Sequence, residues 1–417
     1  MTETAQPQAA PQATTPLAEP AIGRTEFIAL MAMMIATVAF SIDAMLPALP
    51  EITAELSADN PNRTQLLITS FVLGMGAGTL FVGPISDAFG RKPAVVGGAA
   101  LYCFASLLAW AAPNLELVIA ARVLQGLAAS AARVVPMAIT RDYFKGRGMA
   151  RIVSFIMMVF TLVPAIAPLA GSVVIGFAGW RGLFAVLVGF VLISTLWLVL
   201  RVPEPLPRDR RTPFNARALW RNAGIVLAHP AVRISTLAQT LCLSVLFASI
   251  SSIHQIFDVT YDRAESFPLW FAAIALLSGG FSLINAALVM RLGMRRLIRV
   301  AMVGMIALSL AVLGLGLVTG GAALPFWVYV VWQGGIFVHT AMTMGNLNAI
   351  ALEPMGHLAG TATSVFSAAA TMGSVVIAIP IGQAFNGTPL PLIIGALLAI
   401  SLAFLSMAFM PEEERDA

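Results

Sequence analysis

The sequence predicts an all-α membrane protein: twelve transmembrane helices arranged as two pseudo-symmetric six-helix bundles. Three observations carry this reading. Of the 417 residues, 59% are hydrophobic and 11% charged, with a mean hydropathy of +0.89. A soluble domain carries about 25% charged residues, so this chain lacks the polar surface to cover a core, and lipid must solvate most of it. Twelve apolar segments follow one another, each near the roughly 20 residues that a bilayer requires. Finally, the charged, glycine-bearing stretch Gly83-Pro-Ile-Ser-Asp87-Ala-Phe-Gly90-Arg91-Lys92 bridges two apolar segments. A degenerate echo, ending in Arg291-Leu-Gly293-Met-Arg295-Arg296, bridges two others about 200 residues later, the mark of a duplicated membrane protein.

Taken in order, residues 1–24 are rich in Ala, Pro, Gln and Thr, with no charged segment before an apolar core. They read as a disordered cytoplasmic tail rather than a signal peptide. The six-helix bundle of residues 25–200 has spans near 25–47, 64–84, 93–112, 116–140, 150–177 and 182–200. Residues 201–230 hold Arg201, Arg208, Arg210, Arg211, Arg217 and Arg221 and several prolines, and read as a cytoplasmic linker with a short surface helix at 218–228. The second bundle, residues 231–410, has spans near 231–257, 267–290, 298–319, 325–350, 358–383 and 391–410, and residues 411–417 form a cytoplasmic tail. With the N-terminus inside, seventeen basic residues fall on the cytoplasmic side and three, Arg63, Arg181 and Arg263, on the other. That bias places both termini in the cytoplasm.

Composition also excludes functions. The basic residues sit at span ends, so they orient the chain in the membrane rather than bind nucleic acid. Arg91 separates Gly90 from Lys92 and Pro93 follows, so the loop is no phosphate-binding G-x-x-x-x-G-K-[ST]. Neither G-x-S-x-G nor H-E-x-x-H occurs. Cys103 and Cys242 lie in apolar segments of opposite halves and read as buried filler. No metal, nucleotide or other cofactor is expected.

Several stretches resemble the major facilitator superfamily, and within it the drug:proton antiporters of the bicyclomycin- and chloramphenicol-resistance type. Gly83 to Lys92 is similar to the superfamily's loop between spans two and three. Arg122-Val-Leu-Gln125-Gly126-Leu-Ala-Ala is similar to the span-four signature of proton-coupled members. Phe40-Ser-Ile-Asp43-Ala-Met-Leu-Pro47-Ala-Leu-Pro50 looks like span one of the antiporter subgroup, and Arg141-Asp142 after span four also fits. The chain departs from the pattern at Ala167-Pro168-Leu-Ala-Gly171, where a Gly-Pro is usual, and at Ile35, where some relatives carry a second acid. The resemblance implies a central cavity lined by spans one and four and bordered by spans seven and ten.

Asp43 is the acid well inside span one. An ionisable side chain within the bilayer is costly and faces a cavity or a partner, which makes Asp43 the candidate proton carrier; a solvated acid at the periplasmic end of the span, or a local backbone cap, is the alternative. Arg122 lies at the same depth, about 6–9 Å below the outer boundary, and is its candidate partner; a static ion pair that fixes packing is the alternative. Arg133 follows Arg122 by three helical turns and either extends the polar path or snorkels to the inner interface. Gly83, Asp87, Gly90, Arg91 and Lys92, with Asp142 as an acid in reach of Arg91, read as a conformational latch. Asp87 is suited to a helix N-terminus, by resemblance that of span eleven.

Span seven carries Thr240, Ser244, Phe247, Ser251, His254 and Asp258 on one face, and span ten carries Trp332, Ile336, His339, Thr343 and Asn346 at a similar period. With Phe40, Gln125, Gly126 and Arg133, the members Ser244, Phe247, Ser251, Trp332, Ile336, His339 and Thr343 are the candidate substrate cavity. Helix–helix packing through small polar groups is the competing explanation for both stripes. The function expected is a monomeric, proton-coupled multidrug efflux antiporter of the bacterial inner membrane, exchanging small amphipathic organic substrates for protons. A carrier of one metabolite, or a non-transporting membrane enzyme or sensor, are the alternatives.

Overall fold

The computed structural model describes residues 22–318 and 324–411. The tails expected at 1–24 and 411–417 lie outside the described residues, apart from 22–24 and Pro411. Every regular element among the described residues is a helix. Ten helices are long and apolar enough to cross a membrane. The longest, Gly146–Arg201, has 56 residues; as one straight helix it would measure about 84 Å, against a hydrocarbon core of about 30 Å. It breaks at Gly179, whose φ is 64°, and so forms span five (146–178) and span six (180–201). Phe326–Leu352 completes the set of twelve, its apolar content diluted by Gln333, His339, Thr343 and Asn346.

The remaining spans are Arg24–Asp43 (one), Leu66–Phe89 (two), Arg91–Trp110 (three), Leu115–Tyr143 (four), Pro230–Gln255 (seven) and Phe267–Leu292 (eight). Met294–Val318 (nine), Ala359–Gln383 (eleven) and Leu390–Met407 (twelve) follow, with Phe326–Leu352 as span ten between them. Apolar length alone places these elements to within a few residues. Two ends differ with consequence: span two runs on to Phe89 rather than 84, so Gly83 and Asp87, expected in a loop, are helical, and span one stops at Asp43 rather than 47. Pro47 and Pro50 each sit in a first helical turn, where a missing N–H costs nothing. They start a short turn, Leu46–Ala48, and a further helix, Leu49–Leu56. This helix, on the side away from the linker, fixes the corner at Gly179: Glu51 accepts the Trp180 backbone N–H at 3.1 Å, and Glu55 accepts from Trp180 Nε1 and Arg181.

Inside the first half, spans two and four cross with their backbones in contact. A Cβ on Gly74 would meet the Val123 carbonyl, and one on Gly126 the Phe71 carbonyl, the close approach that small residues permit between membrane helices. The halves meet where span two runs along span eleven and span five along span eight. Gly76 lies against Met372 and Thr371, and Gly279 against Thr161. The linker forms a helix, Ala216–Ala228, whose Asn215 Oδ1 accepts the Ala218 N–H as an N-cap. Its buried Leu219, Ala223 and Val226 join Leu80 of span two and Phe366 of span eleven in one cluster. Gly90 and Gly293, at the two repeated corners, have φ of 109° and 77°, a conformation that excludes most side chains.

Candidate functional site

Asp43 is the last residue of span one, 5% exposed, with no basic residue in the last turn of its helix. Its carboxyl group makes no hydrogen bond or ion pair among the described residues. The negative end of the helix dipole disfavours an anion here, and an unpaired buried charge is costly. A charge on Asp43 is thus disfavoured, and the position suits a group that takes up a proton or a cationic ligand.

Arg122 is fully buried but lies elsewhere. Its Nε donates to the Leu67 carbonyl at 3.0 Å, Nη2 to the Ser41 carbonyl at 3.0 Å and Nη1 to Gln125 Oε1 at 2.6 Å. The guanidinium stacks on the Phe71 ring at 4.4 Å. Gln125 Nε2 donates in turn to Ser106 Oγ, and Ser41 Oγ pairs with the Tyr102 hydroxyl. This network ties spans one, two, three and four together. Asp43 ends its helix rather than lying well inside it, and it is not paired with Arg122. Ser41 faces the network; Asp43, two residues on, is turned by about 200° round the helix and points away.

The expected cavity residues divide. Gln125 and Gly126 sit in the packed core of the first half, bonded to Arg122 and pressed on span two respectively. Phe40 stacks on Phe190 of span six, with centroids 5.3 Å apart. Trp332 is fully buried and donates to Ser309 Oγ of span nine at 3.0 Å, and Ile336 is fully buried. His339 packs 3.8 Å from Cys242 Sγ of span seven, and Thr343 donates to the His339 carbonyl. Ser244 and Ser251 bond to carbonyls of their own helix, while Phe247 is just short of full burial. For span ten the stripe packs within the second half, Trp332 on Ser309 and Asn346 donating to Asn285 Oδ1, and Gln333 beside it donates to Ser249 Oγ. Arg133 differs from all of these. It is exposed, and its Nη1 lies 3.7 Å from Met75 Sδ of span two.

At the linker side, Arg91 Nε donates to Asp142 Oδ2 at 2.8 Å, and Nη1 to Asp87 Oδ1 and Ser86 Oγ. Asp87, in the last turn of span two, thus pairs across the Gly90 corner with Arg91 rather than at the start of span eleven; it is Gly83 that faces span eleven, at Ser364. Lys92 Nζ donates to the Val199 carbonyl. A residue without a sequence signal completes the cluster. Glu204, in the linker, accepts the backbone N–H groups of Arg91 and Lys92 at 2.8 and 2.9 Å, capping span three, and that of Leu206. Thr212 N–H donates to the Asp87 carbonyl. The linker is therefore strapped onto the loop. Glu204→Gln keeps one acceptor oxygen for three donors and is expected to cost about 1 kcal/mol of latch stability, the usual worth of a cap. The expected result is an altered transport rate with an unchanged order of preferred substrates; a changed order counts against the latch.

On the opposite side, a zipper of amides joins the halves. Gln65 Nε2 donates to Gln255 Oε1 at 2.7 Å, and Gln255 Nε2 to Asn62 Oδ1 at 2.8 Å. Asn62 Nδ2 donates to the Phe385 carbonyl, and Gln383 Nε2 to the Asn62 carbonyl. The sequence offers no period that picks out these four residues, which lie in loops and at helix ends.

The family model described as Major Facilitator Superfamily matches residues 29–378. "Uncharacterized MFS-type transporter YdgK" of Bacillus subtilis is 28% identical over 91% of this chain and 93% of its own length. "Bicyclomycin resistance protein homolog" of Haemophilus influenzae is 27% identical over 87% and 91% respectively. "Multidrug resistance protein MdtL" of Klebsiella pneumoniae is 27% identical over 90% and 93%. Among solved structures, a D-xylose-proton symporter shares the fold with a TM-score of 0.74 at 14% identity, over 93% of this chain and 98% of that one.

Proposed function

The chain belongs to the Major Facilitator Superfamily, and from that premise we propose that it is a proton-coupled exporter of amphipathic organic compounds. Relatives whose names record bicyclomycin and multidrug resistance support export of drugs. The single observation that carries proton coupling is Asp43: an acid buried in span one, at the negative end of its helix, with no partner in the protein. In this reading Asp43 binds a proton or a cationic substrate in turn, and the halves rock about it to expose it to one side and then the other. The amide zipper closes the outer side, and the Arg91–Asp142–Glu204 cluster restrains the inner side. Arg133, accessible beside span two, lines the inner path. Arg122 acts through the architecture of the first half rather than by exchanging protons with Asp43.

The basic residues set the orientation, with linker and termini in the cytoplasm. The protein works as a monomer in the bacterial inner membrane, secondary active and without a nucleotide. The test is an imposed pH gradient, acid inside, in inverted membrane vesicles. Adding a substrate from a panel of lipophilic drugs is expected to dissipate the gradient. Substrate uptake with no accompanying proton movement would overturn the reading.

A further inference from the structure

Between the halves, outside the amide zipper, lies a pocket of about 360 Å³. Leu49, Pro50 and Ala54 of the Leu49–Leu56 helix form its apolar wall, and His254, Asp258 and Val259 face them from the second half. Gln65 and Gln255, the central pair of the zipper, also line it. We propose that this pocket is a separate, outward-facing binding site for an amphipathic organic cation, with Asp258 as its counter-charge.

Four observations converge. The volume falls within the range of small-molecule sites, and the lining sets an apolar wall of Leu49, Pro50 and Ala54 opposite the polar groups His254, Gln255 and Asp258, a division that suits an amphipathic ligand. Asp258 is the acid of the pocket, and its carboxylate makes no ion pair or hydrogen bond among the described residues. The neighbouring charges are engaged elsewhere: Glu55 with Arg181, Arg63 with Glu116, and Arg263 over the Phe326 ring. His254, 4% exposed, lines the same pocket, and its Nδ1 has no hydrogen-bond partner. Asp258 is carried on a single π-helical turn, Ile256–Thr260, a departure from regular helix that is frequent at functional sites.

The surrounding field favours the same ligand. On this face the sequence places seven acids, Glu51, Glu55, Asp59, Glu116, Asp258, Asp262 and Glu265, against Arg63, Arg181 and Arg263. An acidic mouth concentrates cations. A ligand here bridges both halves over the closed zipper, so binding depends on the halves being together on this side. The chemical class of ligand rests on the exporter reading; the site itself does not.

The test is site protection. Ala54→Cys places a thiol in the pocket, and a membrane-impermeant maleimide is added to intact cells with or without tetraphenylphosphonium as the probe cation. The probe is expected to slow labelling, and Asp258→Asn to require about tenfold more probe for equal protection, the loss of one favourable charge pair. Asp258→Glu should retain protection, which separates loss of charge from loss of fold. Protection should persist in an Asp43→Asn background. No protection by the probe, or equal protection with and without the Asp258 carboxylate, overturns the proposal. Protection that persists where proton-coupled export of the probe is absent leaves the site standing and removes the exporter reading instead.

Discussion

Asp43→Asn is expected to abolish pH-driven exchange while leaving the amount of folded protein in the membrane unchanged. The substitution is isosteric, and the Asp43 carboxyl holds no hydrogen bond that the amide would break, so the packing of span one has no reason to change. In the proposed mechanism, what disappears is the unpaired acid of span one, since Glu26 is held by Arg201. Counterflow of unlabelled for labelled substrate, which needs no gradient, should survive; uphill export should not. Export that retains its pH dependence in the Asn variant would show that coupling resides elsewhere. Arg122 is expected to behave differently. Arg122→Lys leaves one point charge where three directed bonds held spans one, two and four, so it should lower the midpoint of thermal unfolding, at a cost of about 1–3 kcal/mol. Because Asp43 faces away from that network, losses in the two single variants should add in the double variant. A double variant no worse than the worse single one would mean that the two residues share a site.

Gly126→Ala is expected to remove the folded protein altogether. The new Cβ would fall well inside contact distance of the Phe71 carbonyl carbon and oxygen and close to the Met75 backbone nitrogen. These are backbone atoms of a neighbouring span, which cannot swing aside as a side chain would. Forced overpacking commonly costs about 1–3 kcal/mol, and here Gly74 makes the reciprocal contact with Val123 one turn away, so spans two and four must separate. The measurement is the monodisperse fraction after detergent extraction. A well-folded Gly126→Ala protein with an altered substrate range would place Gly126 in a substrate cavity after all.

The features that could be read from the amino-acid order rest on one-dimensional quantities. Apolar length set the twelve crossings, because the thickness of a bilayer is a ruler. The turn glycines Gly90 and Gly293 were legible because a charged turn between two apolar runs leaves little else to read. The depth of Asp43 was not: Pro47 and Pro50 start new short helices, so span one ends at Asp43 and not at 47. Nor was azimuth. Whether Asp43 faces Arg122, or whether Trp332 and His339 face a cavity or their own bundle, depends on how each helix is rotated against its neighbours. A polar stripe looks the same whether it lines water or meets another polar stripe. Contacts made by loop residues were equally hidden: Glu204 reaches Arg91 across 113 positions and Gln65 reaches Gln255 across 190, with no spacing to announce either. It took the packed helices to show that Arg122 and Gln125 bond within the first half, that Asp43 makes no bond to them, and that amides join the two halves on the side away from the linker. Hydrogen bonds between distant segments are chosen by the packing of whole helices, and that packing is a property of three dimensions.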